Sequence, residues 1–515
     1  MLQRILRYAQ ENRPGEAAAD CDLLLERHPG HARAWHVASH VRQRLRDFDG
    51  MLSAAARAAA LLPDDPAQQL RHVECLFYCG QTAQAILRLD ELREALWHDP
   101  QRLVEIGGLF AQCNLHAQAH RCYERAVELA PANRTARASL AASCTTLGRL
   151  QQAEEILERI VNEAPADADA WVNLANLREW TRDHHHVAAL ETALARRGDP
   201  ATEAPLCYAL FKELEDLGEP GRAFAYLQRG AAARRRGLRY RVERDIEAID
   251  AIIAAFPRTV MDRPAPTASG SDAIFVMGLP RTGTTLVDRI ISSHPQAESL
   301  GELRELTFAV MRLAGPGEPG QVPLIRKSAR IDFAALGDAY LSAIAPYRGK
   351  APRFVDKTPA NYLYAGLIRL ALPGARLVLL RRHPMDACYA MYRTLFQAGY
   401  PFSYDLEDLG RYYVAWHRLV EHWRHVMPGA LLEVEYERLV ADQERETRRL
   451  LEHCGLEWDA RCLEFHRNPA PSATASATQV RRPVYRSSVG RWERHASALE
   501  PLARILRDAG LLPQD

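Results

Sequence analysis

The segment Asp272–Glu305 reads DAIFVMGLPRTGTTLVDRIISSHPQAESLGELRE and carries the clearest structural signal in the chain. It opens with an apolar run, Ala273–Met277, of the kind that forms a buried strand of a parallel sheet. The loop Gly278–Thr285 follows, and apolar residues then recur at helical spacing from Leu286 to Ile291. Because backbone N–H groups and the helix dipole converge at such a strand–loop–helix junction, the segment predicts an anion-binding cradle.

The loop nearly fits the nucleotide-binding pattern GxxxxGK[ST], with Gly278, Gly283 and Thr285 in register. Thr284, however, stands where that pattern has lysine. Since that lysine reaches the β- and γ-phosphates of a nucleoside triphosphate, its absence argues against transfer of a γ-phosphoryl group. Arg281, inside the loop, offers a forked cation for a phosphate-like ligand instead. A tight strand–helix turn without a ligand is the alternative interpretation.

The composition is that of an ordinary globular protein, with 515 residues, 47% of them hydrophobic and 25% charged. This length predicts two or three domains. The formal net charge of +1 gives no support to a nucleic-acid partner or to a membrane surface. Because the sequence shows neither a signal-peptide core nor an apolar run of about twenty residues, we expect a cytoplasmic protein without a membrane span.

Cysteine and histidine patterns give no metal site. The ten cysteines include no CxxC pair, so we expect reduced, mostly buried thiols. The run His184–His186 is a polar cluster of the kind that is usually solvated. The sequence therefore predicts no metal.

The N-terminal half has an internal repeat. Prolines in similar contexts are spaced about 34 residues apart, at Pro29, Pro63, Pro100, Pro131 and Pro165. Each follows a helical run and precedes another, which is the tetratricopeptide pattern of two helices per 34 residues. We expect four to five repeats between about Gly15 and Arg197, and a further helical pair (Leu206–Leu217 and Gly221–Arg235) that continues or caps the stack. The predicted domains are a repeat array over residues 1–256, a proline-containing linker over 257–271, and a second domain over 272–515.

The second domain alternates strands with helices. Strands are expected at Arg353–Val355, Ala375–Leu380 and Ala430–Glu435, each followed by a helical segment. Alternation of this kind predicts an α/β domain with a central parallel sheet, whose ligands bind at the carboxyl ends of the strands. Asp356–Lys357 and Arg381–Arg382 follow two of these strands directly. We therefore expect them to meet the loop Gly278–Thr285 in one cleft.

From Asp272 onward the sequence resembles the sulfotransferases that use 3′-phosphoadenosine 5′-phosphosulfate (PAPS). It is closest in pattern to the tyrosylprotein sulfotransferases and to bacterial proteins that fuse tetratricopeptide repeats to such a domain. The resemblance rests on motifs in the family's order, namely Pro280–Thr285, Gly301–Leu303, Asp356–Lys357, Arg382–Asp386, Glu435–Leu439, Ser476, Gln479–Pro483 and Gly490–Trp492.

The resemblance implies a role for each motif. PAPS would be the donor and the bisphosphate PAP the product, with no metal required. The implied donor-binding residues are Pro280, Arg281, Thr282, Gly283, Thr284 and Thr285 at the phosphosulfate, Arg382 at the 3′-phosphate, Tyr436 at the adenine, and Ser476, Arg482, Arg491 and Trp492 in the closing segment. The implied catalytic residues are Glu302 as the base that takes the acceptor's proton, Lys357 beside the leaving group, and Arg281.

Two points stay open in this assignment. The family usually has serine eight residues after the 3′-phosphate arginine, and here that position is Ala390. Binding of the 3′-phosphate would then rest on Arg382 with help from Arg481, Arg482 or Arg491. Glu305, one helical turn beyond Glu302, is the reserve candidate for the base.

The predicted function is transfer of a sulfuryl group from PAPS to an acceptor hydroxyl on a peptide tyrosine, a carbohydrate or a lipid. Two alternatives are a P-loop kinase or NTPase, which Thr284 disfavours, and a repeat scaffold that binds nucleotide without turnover. The expected partner is the acceptor, either a peptide or protein held by the repeat array or a smaller molecule. The array can equally serve only as a scaffold or form a homodimer.

Overall fold

The computed structural model describes residues 1–196, 200–263, 270–317 and 320–514. The helical first part of the chain has the following bounds: α1 Leu2–Gln10, α2 Pro14–Arg27, α3 Ala32–Arg44, α4 Phe48–Leu61, α5 Pro66–Tyr78, α6 Thr82–Ala95, α7 Pro100–Gln112, α8 His116–Leu129, α9 Arg134–Leu147, α10 Leu150–Glu163, α11 Ala168–Ala175, α12 Val187–Ala195, α13 Pro200–Asp216, α14 Pro220–Arg236, α15 Val242–Ala255 and α16 Arg258–Met261.

Left-handed turns mark the repeat register. One residue with positive φ joins the two helices of a pair at Asn12, Arg46, Gly80, Asn114 and Gly148, at a spacing of 34 residues. Glycine and asparagine tolerate this conformation best, which explains four of these positions. Within the described residues, five helix pairs of the array, from α1 to α10, are therefore in register, and the first pair begins before Gly15, where the proline spacing placed its start. We keep the name repeat array for the whole helical first part, α1 to α16.

Proline has two different positions in these repeats. Pro29, Pro63, Pro131 and Pro165 lie just beyond the ends of α2, α4, α8 and α10, as predicted. Pro100, in contrast, is the first residue of α7, five residues after α6 ends. Proline suits both places, because it cannot continue a helix yet has the φ angle that a first turn requires.

The second part of the chain has an α/β architecture. Its strands are β1 Ala273–Gly278, β2 Ala297–Ser299, β3 Arg353–Asp356, β4 Arg376–Arg381 and β5 Leu431–Glu435. Its helices are α17 Thr284–Ser292, α18 Glu305–Ala314, α19 Gln321–Ser328, α20 Phe333–Ile344, α21 Ala365–Ala371, α22 Pro384–Tyr392, α23 Leu406–Val426, α24 Tyr436–Ala441, α25 Gln443–His453 and α26 Glu500–Asp508. Short 3₁₀ segments lie at Ala345–Tyr347, Pro359–Leu363, Pro401–Tyr404, Ala460–Arg467, Gln479–Arg481 and Arg491–His495.

The strands form a parallel sheet in the order β2-β3-β1-β4-β5, which has five members in the part of the chain that the structure describes. The predicted parallel sheet is confirmed. The central strand β1 is buried at every position, as its apolar run indicated. The edge strand β2 was not predicted, because its three residues, AES, carry no apolar pattern.

Side chains alternate between the two faces of the sheet. Ile274 and Val276 pack with α17 and α25 on one face. Phe275 and Met277 point to the other face, where they join an apolar core that continues into the repeat helices. The repeat array and the sheet thus share one core on that face.

The row of left-handed turns, which we call the turn edge (Arg46, Gly80, Asn114 and Gly148), lies against the second domain. Arg46 donates a hydrogen bond to the carbonyl of Gly320 at 2.8 Å. Beside Gly80, the carbonyl of Tyr78 accepts from Arg312 at 3.0 Å. Close to Gly148, the carbonyl of Thr146 accepts from Arg481 at 3.2 Å. The second domain is therefore docked along one edge of the solenoid.

The segment between the two parts was predicted as a linker over 257–271. The short helix α16 occupies part of it, and residues 264–269 lie outside the described residues. The domain boundaries remain a prediction. All ten cysteines are among the described residues, and each is free. No helix in the described ranges has the length and apolarity needed to cross a bilayer.

Candidate active site

The loop between β1 and α17, here called the glycine loop (Gly278–Thr285), is shaped by close contact with Tyr436. Gly283 has φ +108°, and a Cβ atom there would lie 2.8 Å from a ring carbon of Tyr436. A side chain at this position would be strained by its backbone and would also collide. Thr282 stabilises the turn by donating to the carbonyl of Leu279 at 2.7 Å.

Arg281 projects from the glycine loop toward the stretch from Ser476 to Trp492, here called the closing segment. Its backbone is left-handed, with φ +67°. The guanidinium donates to the hydroxyl of Ser476 and, at 2.8 Å, to the side-chain oxygen of Gln479. Burial lowers the pKa of Arg281 to about 10, and the nearby cation Arg393 adds to the lowering. Arg281 therefore remains a cation at neutral pH.

Arg382 lies beside the glycine loop, just beyond the end of β4. It donates to the carbonyl of Arg281 at 3.1 Å and to the carbonyl of Ser488. Its guanidinium carbon lies 4.8 Å from the centre of the Tyr436 ring, a cation–π arrangement. The Tyr436 hydroxyl is in turn 2.7 Å from that of Ser488. The strand end, α24 and the closing segment thus fix Arg382 together.

Glu302 and Lys357 form an ion pair at the neighbouring strand end. The Lys357 ammonium donates to the Glu302 carboxylate. Lys357 is buried, whereas 46% of the Glu302 side chain is exposed. The Lys357 N–H donates to the carbonyl of Gly301 at 2.9 Å, which ties β3 to the turn Leu300–Glu302, here called the acidic turn. A carboxylate open to solvent and paired with a buried cation can accept a proton from a substrate.

The reserve candidate Glu305 has a different setting. One of its oxygens accepts from the Tyr347 hydroxyl at 3.0 Å and the other from the N–H of Arg304 at 2.8 Å. Burial raises the pKa of Glu305 above its usual range. Glu302 lines the large cavity described below, and Glu305 does not. The geometry favours Glu302.

Buried carboxyl groups support this pair from beneath. Asp356 accepts hydrogen bonds from Tyr340 at 2.9 Å and Thr358 at 2.7 Å, and burial raises its pKa to about 7. Burial also raises the pKa of Asp288, while the charge of Lys357 opposes the rise. Lys357 therefore lies close to two carboxylates, those of Asp288 and Glu302.

The closing segment reaches the repeat array. Arg491 donates to Glu215 of α13 through Nε at 3.0 Å, and a second nitrogen lies 3.0 Å from the same carboxylate. Arg482 pairs with Glu179 at 3.4 Å. Trp492 stacks on His383, with ring centres 6.1 Å apart and an interplanar angle of 9°.

A cavity of about 1420 Å³ lies between the repeat array and the second domain. The predicted residues that line it are Arg281, Gly283, Thr285, Glu302, Arg382, Tyr436, Ser476, Arg482 and Arg491. Pro280, Thr282, Thr284, Lys357 and Trp492 are predicted residues outside this lining set. The structure therefore brings most of the predicted site into one space.

Several lining residues were not predicted. Arg393 follows Ala390 by three residues, and both line the cavity. It pairs with Glu215, as Arg491 does. The i, i+3 spacing from Ala390 was a usable signal for Arg393. No such signal in the sequence pointed to Glu215, because this residue lies in α13 and reaches the site only where the repeat array docks on the second domain.

The cavity holds cations with spare hydrogen-bonding capacity. In the part of the chain that the structure describes, the buried Nε atoms of Arg281 and Arg382 have no partner. Unpaired donors on two arginines beside a helix N-terminus suit a multiply charged anion. The residues present therefore fit a phosphate-containing donor.

The histidine run lies at the start of α12. His184 and His186, together with Glu158, place potential ligand atoms within 4.8 Å of one another. Each histidine already has a protein partner, since His186 contacts Glu213 at 2.9 Å and His184 contacts the guanidinium of Arg178. His184 and His185 are exposed, as the sequence suggested, and His186 is partly buried.

Two family models match the chain. Residues 273–460 match the sulfotransferase family, and residues 114–178 match the tetratricopeptide repeat. The first match spans β1 to β5 and includes Arg281, Glu302 and Arg382 of the cavity lining. The second falls within the helical array.

Individual relatives also match parts of the chain. An uncharacterized protein of Aquifex aeolicus is 31% identical over 377 residues, which cover 71% of this chain and 49% of the relative. The chain thus spans about half the length of that relative. Protein-tyrosine sulfotransferase A of Caenorhabditis elegans is 24% identical over 262 residues, covering 47% of this chain and 68% of that protein.

Among solved structures, the sulfotransferase domain from the curacin biosynthetic pathway is similar at 16% identity and a TM-score of 0.29. It covers 46% of this chain and 99% of that domain. The predicted fold class is confirmed by the sheet and by the family matches. The chain thus joins helical repeats, of which residues 114–178 match the tetratricopeptide repeat, to an α/β domain whose residues 273–460 match the sulfotransferase family.

Proposed function

We propose that this protein transfers a sulfuryl group from PAPS to an acceptor hydroxyl. The observation that carries the proposal is the Lys357–Glu302 pair, which lies at the same edge of the sheet as the arginines of the glycine loop and of β4. Anion-binding groups and a solvent-accessible carboxylate thus face one cavity. An in-line transfer to a hydroxyl requires both.

The donor would be held by the cationic side of the cavity. Arg281 and the N-terminal N–H groups of α17 suit the phosphosulfate end, and Arg382 suits the 3′-phosphate. The Tyr436 ring offers an apolar face close to Arg382. PAPS supplies the sulfuryl group, and the protein supplies position and charge.

The chain's own residues would move one proton and stabilise one charge. Glu302 accepts the proton of the acceptor hydroxyl. At the same time the hydroxyl oxygen of the acceptor bonds to sulfur, and the bond between sulfur and the phosphate oxygen of PAPS breaks. Lys357 balances the negative charge that gathers on the departing phosphate oxygen, and Arg281 does the same at the sulfuryl oxygens. Because Lys357 is buried, its charge acts in a less polar setting than water, which strengthens the effect.

The acceptor side of the cavity includes residues of the repeat array, among them Asn173, Arg178 and Lys212. We propose that the array contributes to acceptor binding. The C. elegans relative is named for protein tyrosine, which makes a peptide tyrosine the first acceptor to test, followed by carbohydrate and lipid hydroxyls. Ten unpaired cysteines suit a reducing compartment, and we propose a cytoplasmic location.

Donor binding separates this proposal from a kinase or NTPase. Adenosine 3′,5′-bisphosphate should raise the melting temperature of the full chain, and Mg·ATP at the same concentration should not. Stabilisation by Mg·ATP alone would overturn the proposal. Labelled PAPS incubated with fractions of a cell lysate would then identify the fraction that takes up sulfate.

A further inference from the structure

Asn114 is the member of the turn edge that faces the acidic turn. It lies in the turn between α7 and α8, with φ +58°. Its side-chain amide donates to the carbonyl of Leu300 at 3.1 Å and to the carbonyl of Glu302 at 3.0 Å. One residue of the repeat array therefore bridges both ends of the turn that presents Glu302.

The contact requires a close approach at Gly301. This glycine has φ +76°, and a Cβ atom built on it would lie 3.4 Å from the Asn114 amide group. A side chain there would touch the amide and would also have to adopt a left-handed backbone, which residues other than glycine rarely do. The acidic turn and the Asn114 side chain are thus fitted to each other without a gap.

The opposite side of the acidic turn is held by the second domain. The carbonyl of Gly301 accepts from the Lys357 N–H at 2.9 Å, and the N–H of Leu303 donates to the Thr358 hydroxyl at 2.8 Å. Within the described residues, Lys357 is the sole hydrogen-bond or ion-pair partner of the Glu302 carboxylate. The position of that carboxylate therefore depends on where the turn is held.

We propose that Asn114 is a positioning residue for Glu302, through which the repeat array becomes part of the catalytic apparatus. This inference rests on the proposed function, because it assigns Glu302 as the base. Without the Asn114 amide, the turn is held from one side only and can shift away from Lys357. A displacement of about 1 Å at a reacting group can lower a rate by about a hundredfold.

The substitution Asn114→Gly tests the proposal, because glycine keeps the left-handed turn and removes only the amide. Asn12→Gly is the matched control, since Asn12 has the same register and φ +57° but no side-chain hydrogen bond among the described residues. Asn114→Asp, a second variant, retains the shape of the side chain and removes its donor.

The measurements are kcat for transfer from PAPS to a synthetic tyrosine peptide, the Kd for adenosine 3′,5′-bisphosphate, and hydrogen exchange of the backbone. Both Asn114 variants should lose about 10- to 100-fold in kcat, with Kd within about twofold of the wild-type value. Exchange in a peptide covering residues 298–306 should rise about tenfold, and exchange in one covering 279–286 should not. Asn12→Gly should match the wild type in all three.

An unchanged kcat in both Asn114 variants would overturn the proposal. Unchanged exchange at residues 298–306 would overturn it as well, and this measurement needs no turnover. A wild-type protein that binds the bisphosphate but transfers nothing would instead contradict the proposed function. The exchange at residues 298–306 would then still show whether Asn114 holds the acidic turn.

Discussion

The glycine loop and the acidic turn face the same cavity but are held in different ways. In the glycine loop, Thr282, Thr284 and Thr285 are buried, and Arg281 is bound by the closing segment of the same domain. In the acidic turn, Glu302 is half exposed, and its backbone is bound by a residue of the repeat array. On the proposed function, the glycine loop would bind the donor mainly through contacts within the second domain, whereas Glu302 would activate the acceptor from a turn that the array also holds.

The substitution Glu302→Gln should have the largest effect on turnover. It keeps the shape of the side chain but cannot take a proton, so kcat should fall by about 10²–10⁴-fold. Labelled transfer from PAPS measures the loss, and calorimetry should show unchanged binding of adenosine 3′,5′-bisphosphate. A variant that retains kcat would remove Glu302 as the base.

The substitution Lys357→Met should act on the same step. Methionine fills a similar volume without the charge, so the departing oxygen and the Glu302 carboxylate both lose their cation. We expect kcat to fall by about a hundredfold, which single-turnover kinetics would separate from any change in binding. Equal losses in bisphosphate affinity and in kcat would place Lys357 on the donor side instead.

The substitution Gly283→Ala tests the donor side. Its Cβ would meet the Tyr436 ring and would require a strained backbone, at a cost of about 1–3 kcal/mol. The Kd for the bisphosphate should rise by about tenfold or more, while kcat at saturating donor changes less. Gly108→Ala, within α7 and with no atom within 4 Å of the added Cβ, is the control and should bind as the wild type does.

Asp356 should make the support of the acidic turn sensitive to pH. Its pKa is raised from 3.8 to about 7, so the folded state holds this proton more tightly than the unfolded state does. The contribution of Asp356 to the free energy of unfolding is therefore greatest below about pH 4 and falls as the pH rises toward 7, by up to about 1.4 kcal/mol per pH unit.

Urea unfolding from pH 5 to pH 8 measures this dependence. As the pH rises, the free energy of unfolding of the wild type should fall relative to that of Asp356→Asn. Asp338→Asn, at an exposed position, is the control. The difference in unfolding free energy between this variant and the wild type should stay constant from pH 5 to pH 8. A constant difference for Asp356→Asn would show that this carboxyl does not titrate in the range.

The substitution Glu305→Gln should have the smallest effect. Glu305 accepts hydrogen bonds from Tyr347 and its own helix start and does not line the cavity. We expect less than a threefold change in kcat, measured beside Glu302→Gln. A loss comparable to that of Glu302→Gln would transfer the role of the base to Glu305.

The sequence predicted the parts of the site that follow from local chemistry. The apolar run of β1, the glycines of the loop and the charges after β3 and β4 are all visible as patterns, and the structure brings them to one edge. The strand β2 was missed, because three residues are too short for a periodic signal. The helical segment predicted after β3 begins as a 3₁₀ turn at Pro359–Leu363, and α21 starts only at Ala365.

The contribution of the repeat array could not be predicted from local patterns. Glu215 and Asn114 reach the site only because the turn edge docks against the second domain. The prolines gave the repeat length but not which edge of the solenoid faces inward. Arg482 and Arg491 were expected at the donor, and the structure pairs them with the array carboxylates Glu179 and Glu215.

The most direct test is a paired measurement on the full chain, of the Kd for adenosine 3′,5′-bisphosphate and the kcat for transfer from labelled PAPS. The wild type, Gly283→Ala and Glu302→Gln are compared. We predict that Gly283→Ala weakens binding and largely spares kcat, while Glu302→Gln spares binding and abolishes most of kcat. The separation into a donor side and an acceptor side would be contradicted if both variants lost bisphosphate affinity, or if both lost kcat, to the same extent. It would also be contradicted if the wild type bound only Mg·ATP.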